Sequence, residues 1–263
     1  MAGTFKKFIK RNSHNSFFKV LARLGKAANR LYENYNYDLE TNGELEVIRK
    51  LRDHNCEMIF DVGANVGEYS KAVMQEIPNA KIFAFEPVSS TFNQLEANLS
   101  GASVKCFNLG LSDHTGTETF YTGARSGHST TVKSFHSNPT GSIECQVTKG
   151  DTFMADQKIS AIDFMKLDAE GAEMKILKGF EKAFQLKRIK VCQFEYGMLN
   201  IHTLDLLIDF YKFFEERGYL VGKIYPKYVD FRDYEPKHED FIGPNYLAVD
   251  KDSNDLIRIL SDN

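Results

Sequence analysis

The stretch Ile59-Phe60-Asp61-Val62-Gly63-Ala64-Asn65-Val66-Gly67-Glu68-Tyr69-Ser70 decides the fold. It reads as a short buried strand, a tight glycine turn and the start of a helix. A second strand, Ile82-Phe83-Ala84-Phe85, ends in Glu86, nineteen residues beyond Gly67. A glycine turn after one strand and an acid at the tip of the next form a nucleoside pocket. The glycines let the backbone approach a ligand, and the acid accepts hydrogen bonds from ribose hydroxyls. A turn whose glycines only made the bend would leave Glu86 unexplained.

Two nucleoside cofactors suit that layout. A dinucleotide fold wants G-x-G-x-x-G, because pyrophosphate needs bare backbone amides at a helix N-terminus. Here the middle glycine is replaced by Asn65, no third glycine follows, and Glu68 puts an acid where pyrophosphate would sit. The turn therefore disfavours NAD. It favours a cofactor without phosphates and with a cationic centre, S-adenosylmethionine.

Outward from this centre the chain is ordinary for a soluble globular protein, with 42% hydrophobic and 26% charged residues among 263. That length suits one domain with an N-terminal extension, drawn at residues 1–50 and 51–263. No run of about 18 apolar residues marks a membrane span, and no apolar core marks a signal peptide. Cys56, Cys106, Cys145 and Cys192 are widely spaced and form no zinc pattern. Buried reduced thiols and a cytoplasmic location are the expectation.

Charge is uneven. Residues 1–30 hold eight Lys/Arg and no acid, leaving 25 Lys/Arg against 36 Asp/Glu in the remainder. Within the basic segment Phe17, Val20, Leu21, Leu24 and Leu31 recur at helical spacing. A basic amphipathic helix can lie on an anionic membrane surface. An apolar stripe more often packs on its own domain, so that is the expectation. The acidic body argues against nucleic-acid binding.

From residue 58 onward strand-like and helix-like runs alternate. Strands are expected at 58–62, 81–85, 103–109, 162–168, 189–195, 219–224 and 245–250, and helices at 66–76, 88–99, 171–179 and 202–217. The alternation predicts an α/β fold: a Rossmann-like parallel sheet of seven strands with helices on both faces. Residues 112–147 interrupt the rhythm. Strand-like 117–121 and 143–147 flank a loop at 123–131, which predicts a β-hairpin insertion after the third strand, at the ligand-binding edge of the sheet.

A second dense cluster is Lys166-Leu167-Asp168-Ala169-Glu170-Gly171-Ala172-Glu173. Strand alternation puts Lys166 and Asp168 on one face. Glu173, in the first turn of a helix, suits N-terminal capping. Capping does not account for Lys166 and Asp168, which sit on the strand.

Taken in order, D-V-G-A-N-V-G-E-Y-S, F-E-P, L-S-D-H-T-G and K-L-D-A-E-G-A-E-M-K-I-L-K-G resemble the FkbM-type methyltransferases over residues 37–195, with Tyr37–Glu44 similar to that family's lead-in. The resemblance implies a class I methyltransferase fold, whose last strand returns antiparallel, and the use of S-adenosylmethionine. It also implies O-methylation of a sugar, glycan, glycolipid or natural-product hydroxyl, as in polysaccharide biosynthesis. Carried over by position, Asp61, Gly63, Asn65 and Gly67 would line the methionine part of the cofactor and Glu86 would hold the ribose. Leu111, Ser112 and Asp113 would lie near the adenine. Asp168 would lie near the donated methyl, with Lys166 and Glu170 on the acceptor side.

Methyl transfer needs alignment and a proton acceptor. Asp168 and His128 are the candidate bases, with Lys166 placed to stabilise a developing alkoxide. Glu195, at the end of the fifth strand, and Tyr225 and Tyr228, beyond the sixth, are candidate acceptor contacts, since aromatic faces stack on sugars. A metal held by Asp168, Glu170 and Glu195 is the less favoured arrangement. The competing readings are a non-catalytic cofactor-binding scaffold and an NAD-dependent oxidoreductase. N-methylation would call for an Asn/Asp-Pro-Pro-Tyr-like sequence where Asp168-Ala169-Glu170-Gly171 stands.

Overall fold

The computed structural model describes residues 2–122, 129–131 and 141–262. The strands are β1 (Met58–Val62), β2 (Lys81–Phe85), β3 (Val104–Phe107), β4 (Gly110–Ser112), β5 (Gly116–Thr122), β6 (Ser129–Thr130), β7 (Gly141–Lys149), β8 (Ile162–Leu167), β9 (Ile189–Glu195), β10 (Tyr219–Ile224), β11 (Val229–Phe231) and β12 (Asn245–Asp250). The helices are α1 (Ala2–Asn12), α2 (Ser16–Tyr32), α3 (Glu44–Leu51), α4 (Glu68–Glu76), α5 (Ser89–Asn98), α6 (Gly150–Asp156), α7 (Glu173–Gly179), α8 (Glu181–Gln185), α9 (Asn200–Thr203), α10 (Leu207–Glu216) and α11 (Asn254–Ser261).

The main sheet has the order β11-β10-β12-β9-β8-β1-β2-β3. β3, β2, β1, β8 and β9 pair in parallel, and β12 enters antiparallel between β9 and β10. Counted along the chain, the seven expected strands lie in the order third, second, first, fourth, fifth, seventh, sixth. The fold is of the class I methyltransferase type. The sheet has eight strands rather than seven, because β11 folds back antiparallel on β10 at the edge. Strand order reverses at β1, between β2 and β8, and a crevice opens outside the carboxyl ends of those strands.

Strand alternation assigns the core. Ile59, Phe164, Val191 and Leu247 face α3, α4 and α11 through Val47, Ile48, Val73 and Leu260. Phe60, Met165 and Cys192 face the other way, toward Leu177, Phe184, Phe210 and Phe214 of α7, α8 and α10. On that side Phe194 and Phe210 stack at 4.8 Å.

Four expectations change. The boundary drawn at residue 50 cuts through α3, whose Leu45, Val47, Ile48 and Leu51 are buried, so this helix belongs to the domain. The insertion is more than a hairpin on the sheet edge. β4, β7, β5 and β6 form a separate four-stranded sheet, with β4 parallel to β7. The helix expected at 202–217 breaks at Leu204, where φ is +62°, and restarts as α10 with the Asp209 carboxylate accepting from the Leu206 N–H at 2.9 Å. Finally, α2 has no buried residue. Its apolar stripe does not pack on the domain.

All four cysteines are free, with Cys56, Cys145 and Cys192 buried. No described helix is long and apolar enough to cross a membrane.

Candidate active site

Two recesses open at the strand ends of β1, β2 and β8, and they share Gly63, Asn65 and Asp168. The first is walled by Phe85, Val88, Leu109, Leu111, Phe120 and Ile176, with Glu86 and Glu170 as acids. The second is lined by Tyr37, Leu39, Glu44, Asp61, Glu68, Tyr69 and Lys166.

The floor between them depends on one glycine. Gly63 has φ +83°, and a Cβ there would lie 1.8 Å from the Asp168 carbonyl oxygen. The turns after β1 and β8 touch because no side chain intervenes. The Gly63 and Ala64 N–H groups donate to the Phe85 carbonyl, tying the turn to β2. Gly67 works one step back. At φ +90° it precedes α4 against Leu95 and Leu99, and it lines neither recess.

Asp61 and Lys166 are register partners on adjacent parallel strands, and Gln193 is the partner of Lys166 on β9. A polar row thus crosses three strand ends on the α3–α4 face. Asp61 is wholly buried. Its Oδ2 accepts from the Ser70 hydroxyl at 2.6 Å, while its Oδ1 has no partner. Burial raises the Asp61 carboxyl above the ordinary aspartate value, opposed by Lys166 and Ser70. The Lys166 ammonium donates to Asp168 Oδ2 at 2.7 Å and stands 4.7 Å from the centre of the Tyr69 ring. Burial alone would depress Lys166, but Asp168, Glu44 and Asp61 hold it above the ordinary lysine value. It is a fixed positive charge, not a base.

The turn after β8 is clamped from two sides. Glu173 Oε1 accepts from the N–H groups of Ala169 at 2.8 Å and Gly171 at 3.3 Å. The Thr130 hydroxyl, from the inserted sheet, donates to the Glu170 carbonyl at 2.6 Å. Burial pushes the Glu173 carboxyl up to about 7. Glu86 Oε1 accepts from the Val88 N–H at 2.9 Å, and burial raises this carboxyl too, to about 7. Glu195 is half-buried at the end of β9. Burial and the nearby Asp168 charge raise it well above the usual range.

Of the residues singled out from the sequence, the structure gathers Asp61, Gly63, Asn65, Glu86, Leu111, Lys166, Asp168 and Glu170 around the two recesses. Ser112 and Asp113 line neither. The Ser112 hydroxyl donates to Glu118 at 3.1 Å, and Asp113 pairs with His114 at 2.9 Å. Tyr225 and Tyr228 also lie away from the recesses. Their rings stack at 5.4 Å in the β10–β11 turn, and the Tyr225 hydroxyl donates to Glu33 at 3.2 Å. His128 lies outside the described residues. Among the described residues no group of three or more His, Cys, Asp or Glu is placed to hold a metal.

Sequence reasoning missed Glu44 and Tyr69 and gave Tyr37 no role. Glu44 is buried and accepts from Asn42, Gln193 and Asn245. The available signal was the lead-in segment 37–44, which the fold brings back over the β1 turn.

Residues 61–221 match the family model described as the methyltransferase FkbM domain. The chain belongs to the FkbM methyltransferase family. Its FkbM domain is a methyltransferase domain whose cofactor is S-adenosylmethionine. The chain is 28% identical over 163 residues to the hexuronic acid methyltransferase AglP of Haloferax volcanii, covering 60% of this chain and 65% of that protein. It is 28% identical over 165 residues to the 31-O-demethyl-FK506 methyltransferase FkbM of Streptomyces tacrolimicus, covering 48% and 60%. Each match spans less than two thirds of the relative's length. A crystal structure of methyltransferase FkbM from Methylobacillus flagellatus superposes with a TM-score of 0.47 at 17% identity, covering 73% of this chain and 43% of that one.

The residues present fit the cofactor. The unpartnered Asp61 Oδ1 can accept from a ligand ammonium, and Glu86 can accept from two adjacent hydroxyls. The Phe85–Leu111–Ile176 wall offers an apolar slot for a purine.

Proposed function

We propose that this FkbM-family protein is an O-methyltransferase acting on a hydroxyl of a sugar, in a glycan, a glycolipid or a glycosylated natural product. The observation that carries the reading is that the two recesses meet at Asp168. The first suits the adenosine of the donor. The second, with its buried acids and two tyrosines, suits the methionine end and the approach of a polyhydroxyl acceptor. The hexuronic acid named for the Haloferax relative supports a sugar as acceptor.

When bound, S-adenosylmethionine supplies an electrophilic methyl group. The chain's own residues do the rest. Glu86 would hold the ribose hydroxyls, and Asp61 would face the methionine ammonium. Asp168 receives the acceptor hydroxyl proton on a carboxylate oxygen. Lys166, bonded to that carboxylate, keeps it oriented and stabilises negative charge on the acceptor oxygen. The narrow floor at Gly63 sets the alignment.

Calorimetric titration with S-adenosylmethionine and S-adenosylhomocysteine, followed by mass spectrometry of hexuronic acid and lipid-linked sugar acceptors, tests the reading. Asp168→Asn is expected to bind both S-adenosyl compounds and to lose roughly 10²–10⁴-fold in turnover. Full turnover in that variant would remove Asp168 from the chemistry. Cofactor binding with no methylation of any glycan would leave a scaffold instead.

A further inference from the structure

The N-terminal helices carry a feature that the active site does not use. In α2, Phe17, Val20, Leu21 and Leu24 recur at three- and four-residue spacing, Leu31 follows two turns later on the same face, and none is covered. Phe17 is 70% exposed, Leu24 62% and Leu31 82%. Lys19, Arg23, Lys26 and Arg30 recur at the same spacing along the other side of the helix. α1 adds Lys6, Lys7, Lys10 and Arg11, and it meets α2 through an edge contact between Phe8 and Phe18. Residues 1–32 contain no acid. Among the described residues none of these eight cations enters an ion pair, although Arg30 stands over the Tyr35 ring at 4.8 Å. A helix with one apolar face and one cationic face lies in the headgroup region of an anionic bilayer.

The end of α2 is anchored at the same sheet edge as the active site. Glu33 accepts from the buried Lys223 at 2.9 Å, at the carboxyl end of β10. The Asn34 amide donates to the carbonyls of Asn42 and Ile224. Tyr37, five residues past the end of α2, lines the second recess. A surface holding α2 is therefore held close to the mouth of the site.

We propose that α1 and α2 dock this protein on an anionic lipid bilayer, and that its acceptor is presented at that bilayer as a membrane-anchored sugar. The acceptor clause rests on the methyltransferase reading above, whereas the docking clause does not. Charge selects the occupant. The remainder of the chain carries 25 Lys/Arg against 36 Asp/Glu, so the basic helices stand apart from an acidic body that anionic lipid repels.

Flotation of the full chain with phosphatidylcholine–phosphatidylglycerol vesicles, against phosphatidylcholine alone, tests this. Binding is expected to the mixed vesicles only and to weaken with salt. Leu21→Glu/Leu24→Glu, at exposed positions, is expected to reduce partitioning roughly a hundredfold, and Lys19→Gln/Lys26→Gln roughly tenfold. Circular dichroism melts identical to the parent's show that these variants fold. Equal flotation of the Leu21→Glu/Leu24→Glu variant overturns the proposal. So does a parent that is dimeric without lipid and becomes monomeric in that variant, because a second copy then covers the stripe. Titration of the same preparations with S-adenosylhomocysteine separates the two readings. Cofactor binding without flotation removes the membrane alone, and flotation without cofactor binding keeps the docking surface and removes the methyltransferase reading.

Discussion

At the residue scale the site rests on one missing side chain and on acids held out of water. Gly63→Ala forces a Cβ to 1.8 Å from a backbone oxygen at a positive φ. The turns after β1 and β8 must then separate, and we expect urea denaturation to show a loss of more than about 3 kcal/mol together with loss of cofactor binding. Glu86 gives a pH signature. Its folded pKa, about 7, lies above the ordinary 4.5. The folded state therefore holds the proton more tightly, and this group lowers stability as pH rises from about 4.5 to about 7, with the full cost present above that window. Without cofactor, Glu86→Gln should stabilise the protein by about 1–3 kcal/mol near pH 8 and change little near pH 4.5. The same variant should weaken S-adenosylmethionine binding by about tenfold or more, since an amide is a poorer acceptor from two hydroxyls.

At the element scale the turn after β8 is the most constrained segment of the site. Glu173 supports it from the first turn of α7, and Thr130 supports it from the inserted sheet. Glu173→Ala strands the Ala169 and Gly171 N–H groups. It should cost about 1–3 kcal/mol in chemical denaturation and loosen cofactor binding in calorimetry. Glu173→Gln keeps an acceptor in place and should retain most of both. That Glu173 would stand in the first turn of a helix was legible in the sequence, although its carboxylate accepts from the preceding turn and does not cap α7. The role of Thr130 was not, since it comes from pairing a strand forty residues upstream with β5.

At the scale of the whole molecule the chain divides into a packed α/β body and two uncovered helices. α2 buries no residue, so removing residues 1–32 should shift the thermal midpoint by no more than about 2 °C and leave S-adenosylhomocysteine affinity unchanged. A larger fall would show that the helices pack on the body. Cutting further, into Glu33 and Asn34, would break the bonds to Lys223 and Ile224 and is a different experiment.

By itself the sequence determined the elements whose cause is local. β1 and its turn are written in Asp61–Gly67, because Gly63 takes a positive φ where a Cβ would meet a neighbouring backbone. The acid at the tip of β2 is written in Glu86, and the shared face of Lys166 and Asp168 follows from strand alternation. Tertiary structure decided what depends on distant partners. It brought Tyr37 and Glu44 over the second recess, and it turned Tyr225 toward Glu33, with Tyr228 stacked on it, away from both recesses. It gave the insertion a sheet of its own and left the stripe of α2 uncovered. Periodicity shows that a helix has an apolar face, but what covers that face depends on the rest of the fold and on its surroundings.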